Sequence, residues 1–286
     1  MTTTNLCLLC GSQSLPCARI VRGEVTVLHC PTCDHIFTTQ VGNADTPSAG
    51  ANSTETTQDY TQSLIDSQTT LRAEFLEQAR RRSAVMRKSL GKDQLSILEI
   101  GCGAGGLGQG YVALGHRYIG LDIDSRVIAL AQGAGLDARH LDFMDFESPE
   151  RFDVICFSQV LEHALRPRAF LEKVKTLLAS PAFIHIDVPN HDTLAGVLSR
   201  GAGGLGTRYG GINYPEHCSS FTHRSLETVL SSVFGGKVRV FNATPVDATW
   251  GQVRHKSPVH KAFYAASRLL GRESILVATV EIPPPG

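Results

Sequence analysis

The chain has 286 residues, 42% of them hydrophobic, and its 27 Lys plus Arg are balanced by 27 Asp plus Glu. That length buries a sizeable core, the zero net charge argues against a partner held mainly through phosphates, and no apolar run is long enough to cross a bilayer. Residues 1–5 carry no basic cluster and the apolar piece after them is interrupted at once, so no secretory signal and no membrane partner are expected, and a cytoplasmic location follows.

Cys7-Leu8-Leu9-Cys10 and Cys30-Pro31-Thr32-Cys33 are two C-x-x-C knuckles flanking an expected hairpin. Four thiolates from two turns close a tetrahedron about one Zn²⁺, and so short a segment buries too little apolar surface to fold unaided. Residues 1–37 are therefore expected to form a ribbon whose structural zinc is held by Cys7, Cys10, Cys30 and Cys33. His29 and His35 flank the second knuckle and read as neighbours of the ligands; Cys17, Cys102, Cys156 and Cys218 read as small buried hydrophobes. The ribbon offers Arg19 and Arg22 against Glu24 and Asp34, not the clustered cations of a phosphate-binding surface, so nucleic acid is the second choice of partner.

Residues 38–70 are rich in Thr, Ser, Asn, Asp and Gln and read as a polar linker, with Tyr60 as its candidate functional residue. A helix is expected over 71–90 from the spacing of Leu71, Phe75, Leu76, Ala79, Val85 and Met86, with Gly91 to stop it. Arg80, Arg81, Arg82, Arg87 and Lys88 give it a basic side, read as a solvated face.

The apolar run Leu95 to Ile100 then meets Gly101-Cys102-Gly103-Ala104-Gly105-Gly106, a strand ending in a ligand-binding turn before a helix over about 107–114. Gly101, Gly103 and Gly106 also satisfy the dinucleotide pattern G-x-G-x-x-G. Glu99 decides between the two cofactors, because a carboxylate at the strand tip repels a pyrophosphate and suits a cationic ligand. Tyr118 to Asp122 reads as the second strand, and Asp122 lies about 20 residues past the central glycine, the distance at which a ribose-binding carboxylate is expected.

Glu99, Gly101, Gly103 and Gly105 resemble the acid-x-Gly-x-Gly-x-Gly motif of class I S-adenosylmethionine-dependent methyltransferases. The resemblance continues through Leu141-Asp142-Phe143 and through Phe152 to His163, which ends in Leu161-Glu162-His163. It implies S-adenosylmethionine as cofactor, bound by Glu99, Gly101, Cys102, Gly103, Gly105, Asp122, Ile123, Asp142, Phe143, Ser158 and Gln159. Asp122 would hold the ribose and Asp142 the adenine amine, with Asp145 in reserve.

Strands are further expected at 182–188, 237–243 and 274–282, and helices near 167–179, 223–234 and 260–271. This alternation implies a Rossmann-like, doubly wound seven-stranded α/β sheet over 71–286, its ligand crevice beyond the carboxyl ends of the strands. The glycine-rich insertion at about 189–223 reads as a lid.

Tyr214-Pro215-Glu216-His217 at its end resembles the Tyr-x-Glu-His of zinc-binding sugar methyltransferases, implying His217 as general base aided by Glu216 and Tyr214. His163 is the competing base: Gln159 to His163 resembles the Glu-x-x-Glu-His of quinone-type O-methyltransferases but places Gln first, which weakens a metal site. His185 and His191, on and after the fifth strand, read as structural. The expected activity is methyl transfer to a small-molecule acceptor, a sugar nucleotide or natural-product intermediate. The alternatives are a ribosomal or transfer RNA methyltransferase and a non-catalytic zinc-ribbon binding protein.

Overall fold

The structure is a computed structural model that describes residues 5–20, 25–39, 62, 66, 72–194, 217–243 and 258–284. Its centre is a seven-stranded sheet in the order β10-β11-β8-β7-β4-β5-β6. These strands are β4 (Ser96–Ile100), β5 (Arg117–Asp122), β6 (Ala138–His140), β7 (Phe152–Ser158), β8 (Leu178–Pro189), β10 (Lys237–Ala243) and β11 (Ile275–Ile282). β4 to β8 run parallel to one another, whereas β11 runs antiparallel to both β8 and β10. The chain starts in the middle at β4, winds outward through β5 and β6, and returns on the far side through β7 and β8. A crevice is thereby opened beyond the ends of β4 and β7, where a ligand meets the sheet in doubly wound folds.

The elements follow from local chemistry. Helix α1 (Arg72–Leu90) buries Ala79 and Met86 and stops at Gly91, whose φ of 64° suits glycine. Helices α2 (Gly106–Ala113) and α3 (Ser125–Gly133) follow β4 and β5, and α3 is capped by the Asp124 carboxylate accepting from the Arg126 amide. Helix α4 (Pro167–Leu177) starts with proline in its first turn and passes directly into β8, which begins earlier than the apolar run alone suggests. Helix α5 (His223–Phe234) carries a reciprocal Thr222–Ser225 cap and ends at Gly235 in the left-handed conformation; α6 (Pro258–Leu269) lies between β10 and β11.

The N-terminal segment folds as β1 (Leu15–Ile20), β2 (Val25–His29) and β3 (Ile36–Thr38), but its sheet has a fourth strand, β9 (Ser219–Ser220), supplied from the far half of the chain. Cys7, Leu9, Leu28, Cys30, Cys33 and Phe37 share one core with Leu161, Phe221 and Leu226. The sequence division at residue 37 thus falls inside β3: Ile36 and Phe37 bury against the larger sheet's loops, so the ribbon packs as part of that core. Among the described residues, no helix is long and apolar enough to cross a membrane.

Candidate active site

The glycine turn after β4 is clamped to β5, since the Gly101 and Cys102 amides both donate to the Leu121 carbonyl at 2.8 and 3.0 Å. Gly101 has φ 73° and Gly105 φ 79°, and a Cβ would lie 2.4 Å from Val160 Cγ2 at the first and 2.3 Å from Leu136 Cδ1 at the second. Neither position accepts a side chain. A Cβ on Gly103 would meet nothing within 4 Å, so the middle of the turn faces open space.

Asp122, at the end of β5, accepts from the Gly103 amide through Oδ2 and from the Asp124 amide through Oδ1, both at 2.9 Å. Burial raises its pKa and these amides oppose the rise. Each oxygen keeps a further lone pair, so the carboxylate is fixed by backbone and still able to accept two hydroxyls. Ile123 beside it is exposed, and Asp142 caps the short turn Phe143–Asp145 by accepting from the Met144 amide at 2.8 Å.

Two expectations change on inspection. Glu99 is not an open anionic rim: side chains alternate along a strand, so Glu99 points beneath the turn, 6% exposed, and accepts from the Tyr118 hydroxyl at 2.6 Å. Burial pushes its pKa up to about 7, against the Tyr118 hydrogen bond and the Arg82 charge. Phe143 turns into the core, its ring 4.6 Å from that of Phe170, and Met144 is the exposed apolar side chain there. Cys102 is also buried, leaving its backbone to face the crevice.

At the end of β7, Gln159 adopts φ 55°, an uncommon conformation for a non-glycine residue, held by its amide donating to the Asp187 carbonyl at 2.8 Å. Its side-chain Nε2 is buried without a hydrogen-bond partner among the described residues. Strain and an unused donor at the strand end are what a ligand site produces.

Beneath it lies a network that the sequence did not reveal. Arg82 Nη2 reaches Asp187 Oδ2 at 3.1 Å, Ser158 Oγ donates to the same oxygen, and His185 Nε2 lies 3.8 Å from Asp187 Oδ1. Burial alone would raise the Asp187 pKa, but the Arg82 charge, with His185 and the Ser158 hydrogen bond, holds the carboxyl well below the usual range. The one available signal was phase: Arg82 falls in step with Phe75, Ala79 and Met86 on the inner stripe of α1, whereas Arg81 is on the surface beside Glu77.

Across the crevice, Glu162 and His163 form the turn after β7, and His217 comes from the segment that closes the expected lid. The His163 and His217 rings stand edge to face at 4.8 Å, and a carboxylate oxygen of Glu162 and one nitrogen of each ring lie within 4.8 Å of one another. Burial and the neighbouring His163 lower the His217 pKa to about 4, so its imidazole is neutral at physiological pH and able to take a proton. Tyr60, Tyr214 and Glu216 lie outside the described residues. His191 is engaged on the ribbon side, with Nδ1 3.2 Å from Ser220 Oγ.

The four ribbon cysteines converge: Cys7 and Cys33 sulfurs are 3.5 Å apart, those of Cys10 and Cys30 are 3.6 Å apart, and all four lie within 4.8 Å of one another. A tetrahedron of Zn–S bonds of about 2.3 Å has edges of about 3.8 Å, so the donor set fits a zinc ion. His35 Nδ1 lies 3.8 Å from Cys7 Sγ while its ring stacks on Phe37, a neighbour of the cluster rather than a fifth donor.

Comparison with known proteins gives this geometry a family. A family model for a methyltransferase domain matches residues 69–233. The ubiquinone biosynthesis O-methyltransferase of Rhodopseudomonas palustris is 33% identical over 90 residues, 29% of this chain and 36% of that one. Its counterpart in Cereibacter sphaeroides is 35% identical over 91 residues, 29% and 37% of the two chains. The matched stretch thus spans little more than a third of these curated relatives. Among solved structures, the plantazolicin methyltransferase BpumL in complex with SAH superposes with a TM-score of 0.57 at 19% identity, covering 82% of this chain and 94% of that one. With more than half of its length matched by the family model and the seven-stranded sheet in place, the chain belongs to the methyltransferase domain family and has the class I S-adenosylmethionine-dependent methyltransferase fold.

Proposed function

We propose that this protein transfers a methyl group from S-adenosylmethionine to a small-molecule acceptor, a natural-product intermediate or sugar nucleotide, and that Cys7, Cys10, Cys30 and Cys33 hold a structural Zn²⁺. The observation that carries the reading is the open turn at Gly103 tied to Asp122 at the end of β5, together with the neutral His217 imidazole beside the turn that follows β7. When bound, S-adenosylmethionine supplies an electrophilic methyl group on a sulfonium.

The chain's own residues do the rest. The Gly101–Gly105 backbone approaches the ligand closely, Asp122 accepts ribose hydroxyls, Asp142 accepts from the adenine amine, and Gln159 offers its free amide. In-line transfer needs the acceptor atom held near the methyl and relieved of its proton. His217, neutral and half-buried, takes that proton. The relatives are named for ubiquinone biosynthesis and the structural neighbour for plantazolicin, which supports a small molecule as acceptor.

The test is release of S-adenosylhomocysteine across a panel of phenols, amines and sugar nucleotides. At least one acceptor should give turnover, and His217→Ala should lower kcat about 10²- to 10⁴-fold with cofactor affinity unchanged. Unchanged turnover in that variant would remove His217 as the base.

A further inference from the structure

We infer that Glu162 is the charge partner of His217: its carboxylate receives the imidazolium formed when His217 takes the acceptor's proton. This rests on the reading of His217 as base, and it gives to Glu162 the role that the sequence gives to Glu216. Glu162 is 1% exposed, yet neither carboxylate oxygen has a hydrogen-bond partner among the described residues. A buried carboxyl with neither oxygen hydrogen-bonded is costly; here His163 Nε2 lies 3.9 Å from Oε1, and a nitrogen of each of the His163 and His217 rings lies within 4.8 Å of a carboxylate oxygen. The placement is enforced by backbone, because the Cys218 amide donates to the Glu162 carbonyl at 2.9 Å and so fixes the residue after His217 against the turn that carries Glu162.

The charge balance is closed. The acceptor atom forms a bond to the methyl carbon, the S–C bond breaks with its electron pair going to sulfur, and the acceptor's proton passes to a His217 ring nitrogen. The positive charge lost by the sulfonium reappears as imidazolium, which in a dry pocket requires a counter-ion. Afterwards His217 returns the proton to solvent.

His163 Nε2, 3.9 Å from Glu162 Oε1, shares the carboxylate with His217, and the other charged groups near Glu162 do not supply that counter-ion. On β8, Asp187 is engaged by Arg82 and Ser158, with His185 beside it. On α4, Arg168 donates to the Leu9 carbonyl and pairs with Glu172, Lys173 reaches the Met144 carbonyl, and Lys175 reaches the Val233 carbonyl. Beside β9 the titratable groups are His217 itself and the Cys218 thiol, which burial pushes up. Burial also raises Glu162 to about 8, so the carboxylate form, and with it the charge partner, becomes available as pH rises toward that value.

The experiment is a histidine-ring NMR titration of the full-length, isotope-labelled protein saturated with S-adenosylhomocysteine, with the His217 signal assigned by its loss in His217→Gln. The wild-type His217 signal should show an inflection near pH 8, lost in Glu162→Gln and moved in Glu162→Asp, while homocysteine-product affinity stays within about twofold in both. An identical His217 titration in wild type and both variants overturns the pairing. So does a second metal equivalent beyond the ribbon zinc that disappears in Glu162→Gln, since the carboxylate would then serve an ion. If the titration is independent of Glu162 but His217→Ala is inactive, only the pairing fails; a fully active His217→Ala sinks the base reading itself.

Discussion

The backbone amide of Thr38 donates to the carbonyl oxygen of Cys218 at 3.0 Å, joining the end of the cysteine ribbon to the residue that follows His217. Ile36 and Phe37 pair with Ser220 and Ser219 across the same junction, and Phe221 packs fully buried with its ring 5.5 Å from that of His35. The ribbon therefore packs against the segment that carries His217.

Removing the zinc proposed for the ribbon should loosen that packing before the glycine turn. Chelation, or Cys30→Ser, should raise amide exchange at Thr38 and across residues 218–221 by at least an order of magnitude, with the Gly101–Gly105 turn unchanged. Hydrogen-exchange mass spectrometry reads both; uniform protection after the metal is removed would contradict the coupling.

Gly101→Ala should cost the site more than the fold's ordinary glycines do. The left-handed backbone penalises a side chain by about 1–2 kcal/mol, and the Cβ would also lie 2.4 Å from Val160 Cγ2, so S-adenosylhomocysteine affinity should fall at least tenfold. Gly133→Ala, at the end of α3 with nothing within 4 Å of its Cβ, should instead stabilise the protein by about 0.5–1 kcal/mol. Calorimetric titration and chemical denaturation measure the two.

The Arg82–Asp187 pair should dominate acid stability. Both side chains are buried, and removing one partner strands a charge, so Arg82→Ala should cost about 3–5 kcal/mol. Because the folded-state pKa of Asp187 is depressed, its contribution is present above the unfolded value of about 3.9 and is lost as pH falls through the lower folded value. Denaturation midpoints of wild type should therefore drop below about pH 4, and those of Asp187→Asn should be lower throughout and flatter.

Glu162 should show the opposite slope. Its folded pKa is raised to about 8, so its contribution is present below the unfolded value of about 4.3 and is lost as pH rises toward 8. Glu162→Gln should remove that part of the decline and gain on wild type between pH 6 and about 8, as followed by denaturant melts at fixed pH.

How much of this was legible depended on distance along the chain. The strands at 96–100, 117–122 and 152–158 announce themselves as apolar runs, and the α5 boundaries follow from Thr222 and Gly235. The glycine turn and Asp122 are a local motif, so their site was readable in order. Asp187 and Arg82, 105 residues apart, carry no local signal: an arginine in a basic run looks solvated until α1 is laid on the sheet. The β3–β9 pairing joins segments separated by five of the sheet's seven strands, and two serines in a row have no strand period to detect. Glu99 stands out in the sequence, but strand alternation, not proximity to the turn, decides that its carboxylate points inward to Tyr118.

The central claim is that the crevice at Gly103 and Asp122 takes S-adenosylmethionine, and calorimetry of purified protein with S-adenosylhomocysteine tests it most directly. Saturable one-to-one heat is expected, weakened at least tenfold by Asp122→Asn, with no heat from NADH. Binding of NADH with none of S-adenosylhomocysteine would contradict it.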